Sequence, residues 1–562
     1  MLKLSISAAA TRSAATRASA ATPRSIQVSA IRPASSASKP PVHNASSTGS
    51  STGSSTGRWF LPVTAIVAAG AAYKYYQQSE PIVIDTATEI PAGVDIDSIL
   101  YAQSSITTLA SASNASPAGL RLDSCTVGSN NPSEDRIAAL SLGPTSQLFI
   151  VVDGHGGGQC AQIVVDHIAP YIAQELKNRG AVSTITNGSW WWPTASPATT
   201  ASSADRSQVV TESIRAAFER LDSDIINGAF MAPAPKISKA SLADAEAHRQ
   251  AFNASIASAV AGACTLVALV DGQDLFVSCA GDSKAILGSR NEDGSFEAID
   301  LSVENRPNHP EERERILGEH PGEDPDMLVG VRPNYDDSFR VLQYIAISRA
   351  LGDAFLKWPL TTAQSLPEPL IKKKTVPHCV TPPYLTATPL TTHRRITASK
   401  DLFMILGTDG LTDELSSKEA VSIVHGFMRV AQAVEKGTNR VWGKDPLTHQ
   451  KGWVLDRDDN AAACLVRNAF GGKDDAVSRI LSVEYPDSRD VRDDVSVQVV
   501  FFRGDASSDG VHVDTLVEDA RLGASRFPVK RGLDSVNLSL AQQKVAQLPK
   551  WLQWLEASNS AK

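Results

Sequence analysis

The fold class this sequence predicts is α+β, with antiparallel sheet covered by helices. Three observations carry that expectation. Short, apolar, largely β-branched segments at 147–153, 263–270, 274–280, 284–288, 402–408 and 495–502 read as strands. Two of these, 263–270 and 274–280, are joined through Asp271-Gly272, a hairpin signal that makes sequence neighbours antiparallel. Helical patterns at 157–178, 208–227, 309–318, 417–436 and 459–470 fill the longer intervals.

Taken in order, the chain opens on a segment of different character. Residues 1–44 are rich in Ser, Ala and Arg, as in a mitochondrial transit peptide; a disordered basic tail is the alternative. Repeated Ser-Ser-Thr-Gly marks 45–58 as a flexible linker. An apolar, alanine-rich run from Trp59 to Tyr73, flanked by Arg58 and Lys74, follows within 59–76. It falls short of the roughly 20 residues of an ordinary spanning helix, yet its aromatic and basic ends resemble interface anchors. A marginal inner-membrane anchor is therefore expected, with a buried or interfacial helix as the alternative. Such an anchor would leave the body in the intermembrane space; passage through it would leave the body in the matrix.

The globular body is expected over 95–505, followed by a less patterned extension at 506–562 with one amphipathic stretch at 540–556. Net charge is −8. Residues 1–79 hold eight basic residues and no acid, so the remainder carries 45 Lys+Arg against 61 Asp+Glu, a balance of −16. An acidic body argues against a general nucleic-acid binder. The six cysteines (125, 160, 264, 279, 379 and 464) show no CxxC spacing, so buried free thiols are expected instead of a disulfide framework or a zinc site.

The chemistry gathers where strands end. Leu148 to Val152 run directly into Asp153-Gly-His-Gly-Gly157, placing an acid and an imidazole on glycine-framed backbone at a strand terminus. A carboxylate there suits a hard cation, and the bare Gly154 carbonyl can approach the same ion. A plain turn in which Asp153 caps the next helix remains open on this stretch alone. Four other stretches share its character: Glu134-Asp135, Gly281-Asp282-Ser283, Thr408-Asp409-Gly410 with Asp413 one turn on, and Arg492-Asp493-Asp494. Each acid borders an apolar strand, so all can lie at one edge of a sheet core. Clustered carboxylates repel and stay ionised together only with cations. Oxygen ligands without Cys or His pairs favour Mg²⁺ or Mn²⁺ over zinc. Two such ions can lower the pKa of a shared water and clamp an in-line displacement, the apparatus of phosphate-ester hydrolysis.

The ordered set of motifs resembles the metal-dependent Ser/Thr protein phosphatases of type 2C. The matching pieces are Glu134-Asp135, Val152-Asp-Gly-His-Gly-Gly157, Gly262-Ala-Cys-Thr265, Gly281-Asp-Ser283, Ser348-Arg-Ala-Leu-Gly-Asp353, Thr408-Asp-Gly-Leu-Thr-Asp413 and Arg492-Asp-Asp-Val-Ser496, covering roughly 120–503. The resemblance implies a four-layer sandwich, two central antiparallel sheets flanked by helix layers. It also implies two Mg²⁺ or Mn²⁺ ions per active site and a hydroxide bridging them. Asp153 would join the two ions, with Glu134 and the Gly154 carbonyl on one and Asp409 and Asp493 on the other. Asp135 would act through water, and Asp282 with Asp409 or Asp413 would hold a weaker third ion. His155 would protonate the leaving seryl oxygen, a sensible role for a group that titrates near working pH. Asp353 is expected to be a structural loop residue.

One departure is informative. Many family members place Arg four residues before the Glu to grip the substrate phosphate; here the position is Asn130, which makes no bidentate cationic contact. Asn130 is the expected phosphate-side residue, and Asn there resembles the mitochondrial pyruvate dehydrogenase phosphatase branch. Leu351-Gly-Asp-Ala-Phe-Leu-Lys-Trp358 and Asp459 to Asn468 resemble that branch too. The implied substrate is a phosphoprotein, with the pyruvate dehydrogenase E1 subunit as a candidate in the matrix. Two readings from other classes compete. A pseudo-phosphatase that binds phosphoproteins without turnover is disfavoured by the intact acid set. A nucleotide-binding module is disfavoured because neither Gly-rich phosphate-loop pattern occurs.

Overall fold

The computed structural model describes residues 95–109, 120–142, 146–181, 203–231, 253–332, 338–366, 376–397, 399–435 and 452–502. The expected transit segment, linker and anchor, and the whole of the C-terminal extension, lie outside these residues. Among the described helices none is long and apolar enough to cross a membrane.

Among the described residues, fourteen strands form three sheets. In chain order they are β1 (Ser104–Leu109), β2 (Leu120–Val127), β3 (Arg136–Ser141), β4 (Ser146–His155), β5 (Gly262–Asp271), β6 (Asp274–Ala280), β7 (Lys284–Arg290), β8 (Phe296–Asp300), β9 (Val329–Val331), β10 (Phe339–Val341), β11 (Leu351–Gly352), β12 (Leu390–Arg395), β13 (Asp401–Gly407) and β14 (Val495–Phe502). One sheet runs β1-β2-β14-β13-β7-β8 and the other β12-β6-β5-β4-β3, with the short β11 added beside β5. Every pairing between these strands is antiparallel. The two-stranded β9–β10 ribbon stands apart.

Alternation of side chains along the strands sets the layers. On β4, Phe149 and Val151 pack between the sheets against Leu266, Ala268, Met404 and Leu406. Its other face, Leu148, Ile150 and Val152, packs on the helices Gln159–Asn178 and Ser203–Met231 through Val164, Ile168, Ile214 and Phe218. On β14, Val500 and Phe502 face the other sheet, whereas Val495, Val497, Val499 and Phe501 face the helices Ser417–Glu435 and Ala461–Ala469. Strands apolar on both faces are what a sheet covered on both sides requires. The result is the four-layer α+β sandwich.

The segment between β8 and β12 forms a lobe with its own small core of Ile316, Leu328, Val341, Leu356, Tyr384 and Leu385. It is held together internally by Arg349, whose Nη2 lies 2.6 Å from Glu312 Oε1. Burial works against the charge on Glu312, yet hydrogen bonds from Arg349, Arg315 and Ser348 hold its carboxyl down to about 2. The Ser-Arg pair opening the 348–353 motif thus serves anchoring.

Phe149 is fully buried between the sheets. Phe149→Ala should lower unfolding stability by about 3–5 kcal/mol, read from the shift of the urea midpoint at unchanged m-value.

Candidate active site

Antiparallel pairing brings the strand termini together. The start of β3 lies opposite the end of β4, with Arg136 facing Val152. The end of β13 lies opposite the starts of β7 and β14, with Gly407 facing Lys284 and Val497. Glu134, Asp135, Asp153, Asp282, Asp409 and Asp493 therefore all emerge at one end of the sandwich. Glycine at 154 is dictated by packing: a Cβ there would overlap the Glu134 carbonyl oxygen and crowd Ala161.

Within this edge the carboxylate oxygens of Asp153, Asp282 and Asp409 approach within 4.8 Å of one another. Among the described residues this is the only group of three or more acidic, His or Cys side chains so arranged. Burial, reinforced by Asp409, Asp135, Asp282 and Asp493, pushes the Asp153 carboxyl well above the usual carboxylate range. Asp135 is pushed up similarly, by burial and then by Asp494 and Asp493. Its Oδ2 accepts from Thr408 Oγ1 at 3.0 Å, while Oδ1 is buried with no partner. Glu134 is also raised, chiefly by burial, with Arg489 the strongest opposing influence. A buried oxygen lacking a donor and several acids raising one another mark a site short of positive charge. An all-oxygen donor set of this kind fits Mg²⁺ or Mn²⁺.

Asp413 sits apart from the tight triad. Its Oδ1 lies 3.2 Å from Arg306 Nη2, the same nitrogen that stands 3.4 Å from Asp282 Oδ2. A guanidinium thus bridges Asp282 and Asp413, one of the two pairings expected to hold a third ion, and Arg306 Nε reaches Glu304 at 3.1 Å. Asp282 also accepts from the Cys264 thiol at 3.3 Å, and burial and Asp282 keep that thiol from ionising. Asp493 lies in front of β14, where its Oδ1 accepts from the Asp494 backbone N–H at 2.8 Å.

Asp494 itself organises the neighbouring loop. Its Oδ1 accepts from the N–H of Ser129 at 2.6 Å and of Asn130 at 2.8 Å, and its Oδ2 from Glu134 N–H at 2.7 Å. Asn130 Nδ2 donates to the same Oδ2 at 2.9 Å. These bonds outweigh burial and hold the Asp494 carboxyl below its usual range. Asn130 therefore contributes to the shape of the loop that carries Glu134. Arg489 enters on the same side, with Nη1 3.8 Å from Asp493 Oδ1. Ser488 beside it bonds the Ser129 carbonyl at 2.6 Å.

His155 is 21% exposed, and its Nε2 lies 2.7 Å from Asp353 Oδ2. Burial alone would lower its pKa; the adjoining Asp353 carboxylate, with Asp282 and Glu134, raises it overall. The site's further members, Cys264, Arg306, Asp353, Thr408, Arg489 and Asp494, are absent from the sequence-level set. Cys264, Asp353, Thr408 and Asp494 lie inside the family-like motifs, whereas Arg306 and Arg489 carry no local pattern that singles them out.

A family profile described as Protein phosphatase 2C matches residues 195–441. The chain is 31% identical over 399 residues to a protein phosphatase 2C homolog of Schizosaccharomyces pombe, covering 68% of this chain and 80% of that protein. It is 29% identical over 436 residues to the human mitochondrial pyruvate dehydrogenase (acetyl-transferring) phosphatase 2, covering 69% and 78% respectively. Among solved structures, a serine-threonine phosphatase 2C from Toxoplasma gondii aligns at 17% identity and TM-score 0.41, covering 71% of this chain and 99% of that one.

The raised carboxyls give a stability prediction with a definite sign. A group whose folded pKa lies above its unfolded value, about 3.9 for Asp, favours folding below that value and loses the contribution as pH rises through the folded pKa. Thermal unfolding of metal-free protein should therefore show Tm falling from about pH 5 toward 8. Added Mg²⁺ should restore it, most at the higher pH. Asp153→Asn should raise the metal-free Tm and abolish the Mg²⁺ response.

Proposed function

The chain belongs to the protein phosphatase 2C family, and from that premise we propose that it hydrolyses phosphoserine and phosphothreonine in proteins at a two-ion centre built on Asp153. The observation that carries the reading is the convergence of Asp153, Asp282 and Asp409 within 4.8 Å, at the strand ends where Glu134, Asp135 and Asp493 also emerge. Asp153, Glu134, the Gly154 carbonyl, Asp409 and Asp493 would hold the ions, and Asp135 would act through water. When bound, Mg²⁺ or Mn²⁺ would supply Lewis acidity and lower the pKa of the attacking water. Asp282, with Asp409 or Asp413, would hold a weaker third ion, in competition with Arg306.

The chain's own groups do the remainder. Arg489 places a cation beside Glu134 and Asp493, on the side where Asn130 shapes the loop, and there it receives substrate phosphate by charge-assisted hydrogen bonds. His155 gives the seryl oxygen its proton as the P–O bond breaks; an alkoxide is a poor leaving group without one.

The acid-free, arginine-rich segment 1–44 and the similarity to mitochondrial pyruvate dehydrogenase phosphatases support a mitochondrial protein acting on the pyruvate dehydrogenase complex, with the E1 subunit as substrate. That substrate requires a matrix-facing body. An anchor at 59–76 would instead leave the body in the intermembrane space. Protease protection on mitochondria and mitoplasts separates these: survival in mitoplasts is expected for a matrix body, and digestion there removes the E1 assignment.

The chemistry is tested by phosphate release from a phosphoserine peptide by metal-stripped protein, alone and with Mg²⁺ or Mn²⁺. Release should appear only with metal and fall at least about a hundredfold in Asp409→Asn. Release without metal, or an unimpaired Asp409→Asn, would contradict the reading. Arg489→Ala should raise KM about tenfold with kcat little changed, as expected for lost ground-state binding.

A further inference from the structure

Asp353 closes the motif Ser348 to Asp353, and its carboxylate touches the one imidazole at the site, 198 residues away in sequence. We propose that Asp353 is the positioning residue of His155, fixing the ring through Nε2 so that Nδ1 delivers the proton to the leaving seryl or threonyl oxygen. The proposal rests on the reading of His155 as general acid. Among the described residues, the imidazole's one hydrogen bond is the 2.7 Å contact of Nε2 with Asp353 Oδ2.

The sheet builds this contact deliberately. Gly262, first residue of β5, pairs on one side with His155 of β4 and on the other with Gly352 of β11. The two partners of β5 thus deliver His155 and Asp353 to opposite flanks of one residue, and their side chains meet over it. A Cβ at Gly262 would overlap both His155 Nε2 and Asp353 Oδ2. Only glycine leaves room for the pair.

The loop that carries the carboxylate is held from behind by buried contacts. Asp353 has φ 50° and ψ 41°, a left-handed conformation that Asp tolerates better than most residues, and its N–H donates to the Ala261 carbonyl at 3.0 Å. The preceding Gly352 N–H donates to Asp222 Oδ1 at 2.8 Å. Lys357 Nζ donates to the same Oδ1 at 2.7 Å and to the Ala350 carbonyl at 2.7 Å. Asp222 and Lys357 are both buried, so each needs the other. Trp358 completes the brace: fully buried, it donates from Nε1 to the Ile226 carbonyl at 2.9 Å. Helix Ser203–Met231 therefore grips the loop at Asp222 and Ile226, and the loop presents Asp353 to the ring.

The proton accounting is complete with water as co-substrate. The attacking water loses one proton to solvent and its oxygen bonds to phosphorus. As the phosphorus–seryl oxygen bond breaks, that oxygen takes the Nδ1 proton. The imidazole is left neutral, keeping its Nε2 proton in the hydrogen bond to Asp353, and solvent restores the proton on Nδ1. Asp353 takes up no proton in the step, so its role is orientation and not transfer.

The test compares wild type, His155→Ala, Asp353→Ala and the double variant, all metal-loaded, on a phosphoserine peptide and on an aryl phosphate with a good leaving group. Asp353→Asn, which suits the left-handed backbone, is the fallback if Asp353→Ala fails to fold by thermal melt. Each single variant should lower kcat on the peptide by about a hundredfold or more, with KM within about twofold, and by less than about tenfold on the aryl phosphate. The double variant should be no slower than the slower single one, because the pair acts as a unit. Equal loss on both substrates in Asp353→Ala (or in Asp353→Asn where that is read), or multiplicative losses in the double variant, would overturn the pairing. A His155→Ala variant lacking leaving-group selectivity would remove the general-acid reading and the pairing together. Selectivity in His155→Ala but not at Asp353 would remove the pairing alone.

Discussion

The structure depends on mutual repulsion held in check. Six carboxylates converge at one end of a sandwich with a hydrophobic interior, and two of them, Asp153 and Asp135, are driven well above the ordinary carboxylate range by burial and by neighbouring carboxylates. Such a cluster costs folding energy unless cations enter it. What keeps the acids in place is the register of twelve strands in two sheets. Because β4, β5, β7, β13 and β14 are locked by side chains packing on both faces, moving one acid means slipping a strand, and a one-residue slip reverses every buried side chain on it. The rigidity of the core is thus spent on holding charge where a hard cation can use it.

The chain's own cations divide that charge among distinct tasks. Arg306 lies between Asp282 and Asp413, on the side where a third ion would sit. Arg489 stands by Asp493 and Glu134, where phosphate would arrive. Arg136 is turned away, donating to the carbonyls of Ser133 and Asp135 at 2.7 Å each, and so fixes the Glu134-Asp135 turn without neutralising it. Arg492 does the same behind β14, bonding the carbonyls of Ile480 and Val483. Backbone-bound arginines shape the site; carboxylate-bound arginines tune it. The distinction explains how an acidic body carries a substrate that is itself anionic.

Much of this was legible in the sequence because the site is made of strand ends. Apolar β-branched runs reveal β4, β5, β6, β7, β13 and β14, and the acids beside them follow at once. The strands that escaped have weaker patterns for physical reasons. β12, Leu-Thr-Thr-His-Arg-Arg, is an edge strand with mostly polar, partly exposed side chains. β2 hides Arg121 and Asp123 as a buried ion pair, Arg121 Nε 2.6 Å from Asp123 Oδ1, which breaks its apolar run. β3 is short and alanine-rich. The missing site residues are of another kind. Arg306 meets Asp413 across 107 residues and Asp353 meets His155 across 198, pairings that only the tertiary fold creates. Asn130 shows the limit from the other side: its position was readable, but the Asp494 carboxylate that engages its amide was not.

The central claim is that these acids are assembled to receive hard cations on Asp153. Anomalous diffraction from crystals soaked in Mn²⁺ tests it most directly. The account predicts two strong peaks flanking the Asp153 carboxylate, one toward Glu134 and the Gly154 carbonyl and one toward Asp409 and Asp493, both lost in Asp153→Asn. Ordered carboxylates in the present arrangement with no peak at Asp153 would contradict it.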